Sequence, residues 1–157
     1  MKTVNWFLTW LPLLKLAQLI LMVLCIVFFM DGRNQWWFYS LVYLICFIFA
    51  FLCIFTIIAY YVELHKAKGN LPWITLELFF NIIAAVTCIV LAIVLIWDSW
   101  MMSSGSNMDI RHHSGLPPRN IGRTAWIRRL RVVAGSLFVA ALLFTISLVK
   151  TNRNGIQ

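Results

Sequence analysis

Four long apolar runs dominate this sequence. Each has about the length that a helix rising roughly 1.5 Å per residue needs to cross a hydrocarbon layer of roughly 30 Å. Polar or basic residues separate the runs, which cover approximately residues 11–30, 37–61, 73–96 and 132–149. The sequence therefore predicts an all-α fold, a four-helix transmembrane bundle with antiparallel up-down topology, which forms a single membrane domain over residues 1–157.

The composition favours an integral membrane protein. Of the 157 residues, 62% are hydrophobic and only 11% are charged, and the mean hydropathy is +0.88, which a soluble domain of this length would not need. The net charge of +8 comes from Lys and Arg at the edges of the spans, where they face lipid head groups or set orientation, so we do not expect nucleic acid as a partner. Cys25, Cys46, Cys53 and Cys88 all fall inside spans, which predicts buried apolar thiols and no disulfide framework.

The third span contains an acid that lipid does not tolerate well. A polar and small-residue stripe recurs there at helical spacing, through Glu77, Asn81, Ala84, Ala85, Cys88 and Ala92. A bare carboxylate in lipid costs at least several kcal/mol, and small residues allow helices to approach closely. The stripe is therefore predicted to face other helices, with the acid buried at one end.

The first span has a polar stripe of its own, formed by Lys15 and Gln18 near its beginning. With alternating span directions, Lys15 and Glu77 lie on the same side of the membrane, each about one turn inside its span. Two arrangements remain open. Either the two residues form an ion pair between the spans, or each side chain extends separately to the head groups.

Residues 101–127 form the one long polar loop that we predict. Arg123, Arg128, Arg129 and Arg131 at and beyond its end could hold anionic lipid head groups, or form a basic collar that fixes the depth of span four. His112 and His113 are adjacent, without further ligands at suitable spacing, so no metal site and no cofactor are predicted.

The fourth span combines small residues at helical spacing. Ser136 and Ala140 are four residues apart, a pattern typical of close helix packing, either within the bundle or between copies in a homo-oligomer. The basic residues divide almost evenly between the two sides of the membrane, so the positive-inside rule does not decide the orientation.

The sequence resembles the MARVEL-domain membrane proteins, in particular the chemokine-like factor branch and the MAL and plasmolipin proteins. The resemblance covers nearly the whole chain and rests on Leu71-Pro72-Trp73, Glu77, Phe80-Asn81, Ala84-Ala85 and the Leu13-Leu14-Lys15-Leu16-Ala17-Gln18 segment. It implies cytoplasmic termini and a non-enzymatic role in membrane apposition, vesicle traffic, lipid-domain organisation or cell junctions, at the plasma membrane or on endosomal or Golgi vesicles. The loop before span four is longer and richer in Arg than is usual in that family.

Two other function classes are alternatives to this hypothesis, a membrane enzyme and a small transporter. A membrane thiol oxidoreductase would need a C-x-x-C motif, and a glutathione-dependent enzyme would need a polar cluster that the loop around Glu63, His65 and Asn70 does not form, so no catalytic residue is predicted. A small proton- or cation-coupled transporter could use Glu77 as its carrier. We therefore expect a scaffold with the lipid bilayer and other membrane proteins as partners, and keep transport as the alternative.

Overall fold

The structure is a computed structural model that describes residues 2–34, 36–66, 72–103 and 122–155. These residues contain no strand, which confirms the all-α prediction. A short helix α1 (Lys2–Phe7) precedes α2 (Trp10–Phe29), and α3 (Trp37–Tyr61) ends at a single 3-10 turn (Leu64–Lys66). The two longest helices follow, α4 (Trp73–Ser103) and α5 (Arg123–Asn154).

Helices α2 to α5 are each long and apolar enough to cross a membrane. This identifies an integral multi-pass membrane protein in contact with the lipid bilayer. The helices α2 and α3 agree closely with the predicted first two spans, whereas α4 and α5 continue well beyond the other two. Residues 101–103 and 123–127 of the predicted loop are thus helical, and residues 104–121 lie outside the described part of the chain.

The extension of α4 and α5 has a physical cause in their mutual packing. These two helices share the most extensive backbone contact of the bundle. Residues beyond the apolar run, such as Asp98, Met102 and Trp126, are buried there. Because protein contacts replace water around these turns, the helices continue past the hydrocarbon layer that was used to predict their ends.

The bundle core runs along the facing stripes of all four long helices. Helix α2 packs against both α3 and α5, and α4 packs against α5. The centre of the core is made of small and medium-sized side chains, including Met22, Cys25, Val42, Cys46 and Leu137. Small core residues allow the helices to approach closely, as is usual for helix packing in membranes.

Two contacts show how α3 lies against α4. The hydroxyl group of Tyr60, near the end of α3, donates to Glu77 near the start of α4. Tyr39, near the start of α3, donates to Asp98 near the end of α4. This is the arrangement expected of two neighbouring helices that run in opposite directions, and the up-down order of the whole bundle stays a prediction.

Candidate functional site

A buried ion pair lies at the centre of one end of the bundle. Lys15 Nζ of α2 is 2.5 Å from Glu77 Oε1 of α4. Lys15 is fully buried and Glu77 is 3% exposed. Of the two arrangements left open by the sequence, the structure therefore has the ion pair, in which neither charge is left alone in the apolar interior.

Helices α3, α4 and α5 complete the environment of Glu77. The Tyr60 hydroxyl donates to Glu77 Oε2 at 2.6 Å. Asn81, one turn along α4, donates through Nδ2 to Glu77 Oε1 at 3.3 Å and to Ser147 Oγ of α5 at 3.4 Å. We call these five residues, Lys15, Tyr60, Glu77, Asn81 and Ser147, the Glu77 cluster. It joins all four long helices through polar contacts.

Aromatic rings enclose the Glu77 cluster on its inner side. Lys15 Nζ lies 4.8 Å from the centroid of the Phe80 ring, close enough for a cation–π contact. Phe80 in turn meets Phe49 of α3 and Phe144 of α5 edge-on, at centroid distances of 6.0 Å and 5.7 Å. The ammonium group is therefore held between a carboxylate and a π-face, in surroundings that are otherwise apolar.

The remaining predicted packing residues of the first and third spans are also buried. Ala84 and Ala85 line the interior next to the Glu77 cluster. Gln18 is buried too, and its Oε1 accepts a weak contact from the Cys53 thiol at 4.0 Å. Within the described residues, Gln18 Nε2 and Asn81 Oδ1 have no hydrogen-bond partner. The structure thus brings together Lys15, Glu77 and Asn81, with Gln18 beside them but less firmly bound.

A second buried carboxylate, which the sequence interpretation missed, lies at the other end of the bundle. Asp98 is completely buried and accepts a hydrogen bond from the Tyr39 hydroxyl. The Tyr39 ring packs against the rings of Phe29 and Trp126, at a centroid distance of 5.4 Å in each case. We call Phe29, Gly32, Tyr39, Asp98 and Trp126 the Asp98 cluster.

Gly32 gives the Asp98 cluster its close packing. A Cβ atom at this position would lie 2.1 Å from the Cη2 atom of Trp126. The buried indole ring therefore occupies the space that any other residue would fill with a side chain. The turn after α2 is in this way fixed against the first turns of α5.

Both clusters were partly detectable in the sequence. The stripe that begins at Glu77 and Asn81 continues at helical spacing through Cys88 and Leu95 to Asp98, so extending it by two more turns would have found the second acid. Tyr60 had a weaker signal. An aromatic residue at the end of a span is typical of the membrane interface, and nothing in its local sequence distinguishes it from its exposed neighbour Tyr61.

The predicted packing face of span four is placed slightly differently. Ala140 is fully buried, as are Leu137 and Phe144 on the same stripe. Ser136 lies at the edge of that stripe, half-buried, and its hydroxyl donates to the Val132 carbonyl oxygen at 2.9 Å. The hydroxyl is therefore satisfied within its own helix.

The arginines that were predicted as lipid head-group ligands divide into different environments. Arg129 Nη1 is 2.9 Å from Asp31 Oδ2, in the turn after α2. Arg131 donates through Nε to Ser99 Oγ of α4 at 3.1 Å. Arg128 is exposed, and the side chain of Arg123 lies outside the described part of the structure. Two of these arginines thus bind protein partners, and binding of head groups stays a prediction.

No metal-binding group was found among the described residues. No three His, Cys, Asp or Glu side chains come together there in a way that could hold an ion. Cys25, Cys46, Cys53 and Cys88 are all buried thiols without disulfide bonds. The two clusters attach helices to one another inside the bundle, and the Glu77 cluster pairs a carboxylate with an ammonium group.

The chain was compared with protein-family models, curated proteins and solved structures, and nothing in any of the three comparisons matches it.

Proposed function

We propose that this chain is a non-enzymatic membrane protein that organises membrane apposition, vesicle traffic or cell junctions through lateral contacts of its helices with lipid and with other membrane proteins. One observation carries the proposal. One polar side chain or more from each of the four spans points inward and takes part in the contacts of the Glu77 cluster, while the outward faces carry large apolar side chains such as Phe51, Phe79 and Leu142. A surface of this kind is suited to lateral contact inside a bilayer.

The proposal includes the resemblance to the MARVEL-domain proteins. Of the residues that carry the resemblance, Lys15, Gln18, Glu77, Asn81, Ala84 and Ala85 are buried, whereas others such as Leu13 and Leu16 are exposed. The buried ones support a common structural role. On this proposal both termini are cytoplasmic, and the protein resides at the plasma membrane or on endosomal or Golgi vesicles. Association into homo-oligomers belongs to the same proposal.

The alternative, a transporter that uses Glu77, is less well supported by the geometry. A carrier carboxylate has to exchange its proton or cation with the solution during transport. Glu77 instead has Lys15 as an internal counter-ion and accepts hydrogen bonds from Tyr60 and Asn81. This environment favours a structural role, in which the carboxylate is held by groups of the protein itself.

Proximity labelling in cells tests the proposal directly. The full chain, fused to a labelling enzyme, is expected to recover vesicle or junction membrane proteins above the level of an unrelated four-span protein of equal abundance. The Glu77→Leu variant is expected to assemble poorly and to lose that recovery. Recovery no better than that of the unrelated protein would refute the organising role, and a Glu77→Leu variant that assembled and localised like the parent would remove the role given to this residue.

Flux measurements test the alternative. The purified chain is reconstituted in vesicles that contain a pH-sensitive dye, and the Glu77→Gln variant is compared with the parent. We expect no substrate-dependent proton movement from either protein. Proton flux that the parent supports and Glu77→Gln abolishes would establish transport in place of the scaffold.

A further inference from the structure

A groove opens on the outside of the bundle between α3 and α4. Its cavity volume is about 410 Å³, within the size range of sites that hold one small molecule. The lining comes from both helices and is mostly aromatic or aliphatic, including Phe49, Thr56, Tyr60, Trp73, Phe79 and Ile83. The groove is therefore an apolar recess between two membrane-spanning helices.

The boundary between α3 and α4, which we call the seam, is open because of the way the helices are arranged. Helix α3 has its main backbone contact with α2, and α4 has its main contact with α5. Toward the two ends, α3 and α4 are joined by the bonds from Tyr60 to Glu77 and from Tyr39 to Asp98. Between those bonds the Phe49 and Phe80 rings meet at 6.0 Å and close the inner side only. The outer side of the seam is left as the groove.

The groove has the length of one leaflet. It begins near Tyr60 and Trp73, at the end of α3 and the start of α4, and reaches Phe49 and Ile83. About ten residues of helix at roughly 1.5 Å per residue span about 15 Å. That is half of the roughly 30 Å hydrocarbon thickness of a bilayer. An occupant of this groove would therefore lie in the leaflet at the Glu77 end of the bundle.

The hydroxyl and carboxylate groups around the groove are already engaged. The Thr56 hydroxyl contacts the carbonyl oxygens of Leu52 and Cys53 in its own helix. The Tyr60 hydroxyl donates to Glu77, whose side chain is 1% exposed. Recognition by this groove must then come from apolar contact and shape, which suits a flexible hydrocarbon chain better than a ligand with a hydroxyl group to satisfy.

We propose that the groove binds one acyl chain of a bilayer phospholipid from the leaflet at the Glu77 end. The groove is continuous with the surface that these helices present to lipid, because its rim residues Leu76, Phe79 and Ile83 are all exposed. A chain in the groove covers apolar surface on α3 and α4 together and so reinforces a seam that neither helix uses for its main backbone contact. This proposal deepens the proposed function and rests on it, since it names the lipid contact through which the bundle would act.

Photolabelling of the full chain in nanodiscs tests the proposal. The probe is a phosphatidylcholine that carries a photoreactive group near the middle of one acyl chain, and the labelled peptides are identified by mass spectrometry. We expect labelling to concentrate on the groove residues of α3 and α4. Labelling spread evenly over all lipid-facing helix surfaces, or a photoreactive sterol that labels the groove in preference to the phospholipid, would overturn the proposal.

Two variants that fill the groove make the test specific. Ile83→Trp and Leu76→Trp add bulk at exposed positions on the lining, and each is expected to lower groove labelling several-fold. Val86→Trp adds the same bulk at an exposed position of α4 outside the lining and is expected to leave labelling unchanged. Equal labelling of all three variants and the parent would overturn the proposal.

The same variants, labelled in nanodiscs and also expressed in cells for proximity labelling, separate this proposal from the broader function. Ile83→Trp could lose groove labelling and still recover neighbouring proteins in cells as well as the parent does. The bound acyl chain would then have no part in the proposed function, and the organising role would stand. Groove labelling in a chain that recovers no more neighbouring proteins than an unrelated four-span protein would overturn the organising role and leave the lipid site in place.

Discussion

The two ends of the bundle bury a carboxylate in different ways. In the Glu77 cluster, the acid is neutralised by Lys15 and accepts hydrogen bonds from Tyr60 and Asn81. In the Asp98 cluster, the acid is bound by Tyr39 and lies among large rings. Both clusters join α3 to α4 through a tyrosine. The two tyrosines are 21 residues apart, and so are the two acids.

This shared separation corresponds to the thickness of the membrane. Twenty-one residues of helix span roughly 30 Å, about the depth of the hydrocarbon core. The two tyrosine–carboxylate bonds therefore lie close to the two edges of the apolar layer, where polar groups cost least to place. The same tyrosine–carboxylate bond thus occurs at both edges, within an ionic network at one end and among packed aromatic rings at the other.

The largest effect is expected from removing half of the buried ion pair. Glu77→Leu leaves the Lys15 ammonium buried without a counter-ion, and loss of one partner of such a pair typically costs about 3–5 kcal/mol. Stability is measured as the free energy of unfolding in mixed micelles, followed by tryptophan fluorescence. The double variant that combines Lys15→Met with Glu77→Leu should recover most of the free energy of unfolding that Glu77→Leu loses. Replacement of a whole buried ion pair by apolar residues is often tolerated. Equal losses in the single and double variants would contradict an ionic basis for this end.

At the Asp98 end, the corresponding weakness is steric. Gly32→Ala places a Cβ 2.1 Å from the Trp126 ring, and overpacking of this kind costs about 1–3 kcal/mol. Gly135→Ala is the matched control, since a Cβ there meets nothing within 4 Å. Because alanine is favoured over glycine within helices, the control should gain about 0.5–1 kcal/mol. If Gly32→Ala unfolded like the parent in the same assay, the close packing of Trp126 on this turn would be refuted.

A third test addresses the tyrosine of the ionic end. Tyr60→Phe removes one hydrogen bond to Glu77, whose carboxylate keeps Lys15 and Asn81, so we expect a loss near the lower end of the roughly 1.5–3 kcal/mol typical of bonds to charged groups. Tyr61→Phe serves as the control, since this neighbour is exposed and a surface change of this size should stay within about 0.5 kcal/mol. Both are measured by the unfolding assay used for Glu77→Leu. Identical behaviour of the two variants would show that the Tyr60 bond contributes nothing to this cluster.

The contrast between Tyr60 and Tyr61 also shows where sequence reasoning stops. Lipid excludes unpaired charge so strongly that the stripe predicts an inward direction for Glu77. The sequence leaves open whether Lys15 pairs with Glu77 or extends to the head groups. A tyrosine at the end of a span is tolerated either in the core or at the interface. One step along a helix turns a side chain by about 100°, and tertiary packing alone decides which of two adjacent tyrosines is buried.

The lengths of the helices illustrate the same limit. Hydropathy predicted the ends of α2 and α3 well, because these helices stop near the edge of the hydrocarbon layer. It missed the extensions of α4 and α5, where Asp98, Ser99 and Trp126 are buried by neighbouring helices. A residue scale that measures transfer into lipid cannot detect burial by protein, so it gives no sign that Asp98 is buried.

The smallest effect is expected from the ion pair on the surface of the Asp98 end. Arg129 and Asp31 are 30% and 54% exposed, and exposed pairs contribute about 0.2–1 kcal/mol. Arg129→Ala should therefore lower the free energy of unfolding by no more than this. The loss should shrink at about 1 M salt, where the screening length falls to roughly 3 Å. Arg128→Ala, at an exposed neighbouring position, is the control.

A loss in Arg129→Ala as large as that in Glu77→Leu would contradict the division between the two ends, because the exposed Arg129 would then contribute as much as the buried ion pair. A small loss that high salt removes would indicate that, of these two ion pairs, the buried pair of Lys15 and Glu77 contributes nearly all of the stabilisation. The loss in free energy of unfolding of Arg129→Ala, measured at low and at high salt, thus shows whether ion pairing stabilises the Asp98 end less than the Glu77 end.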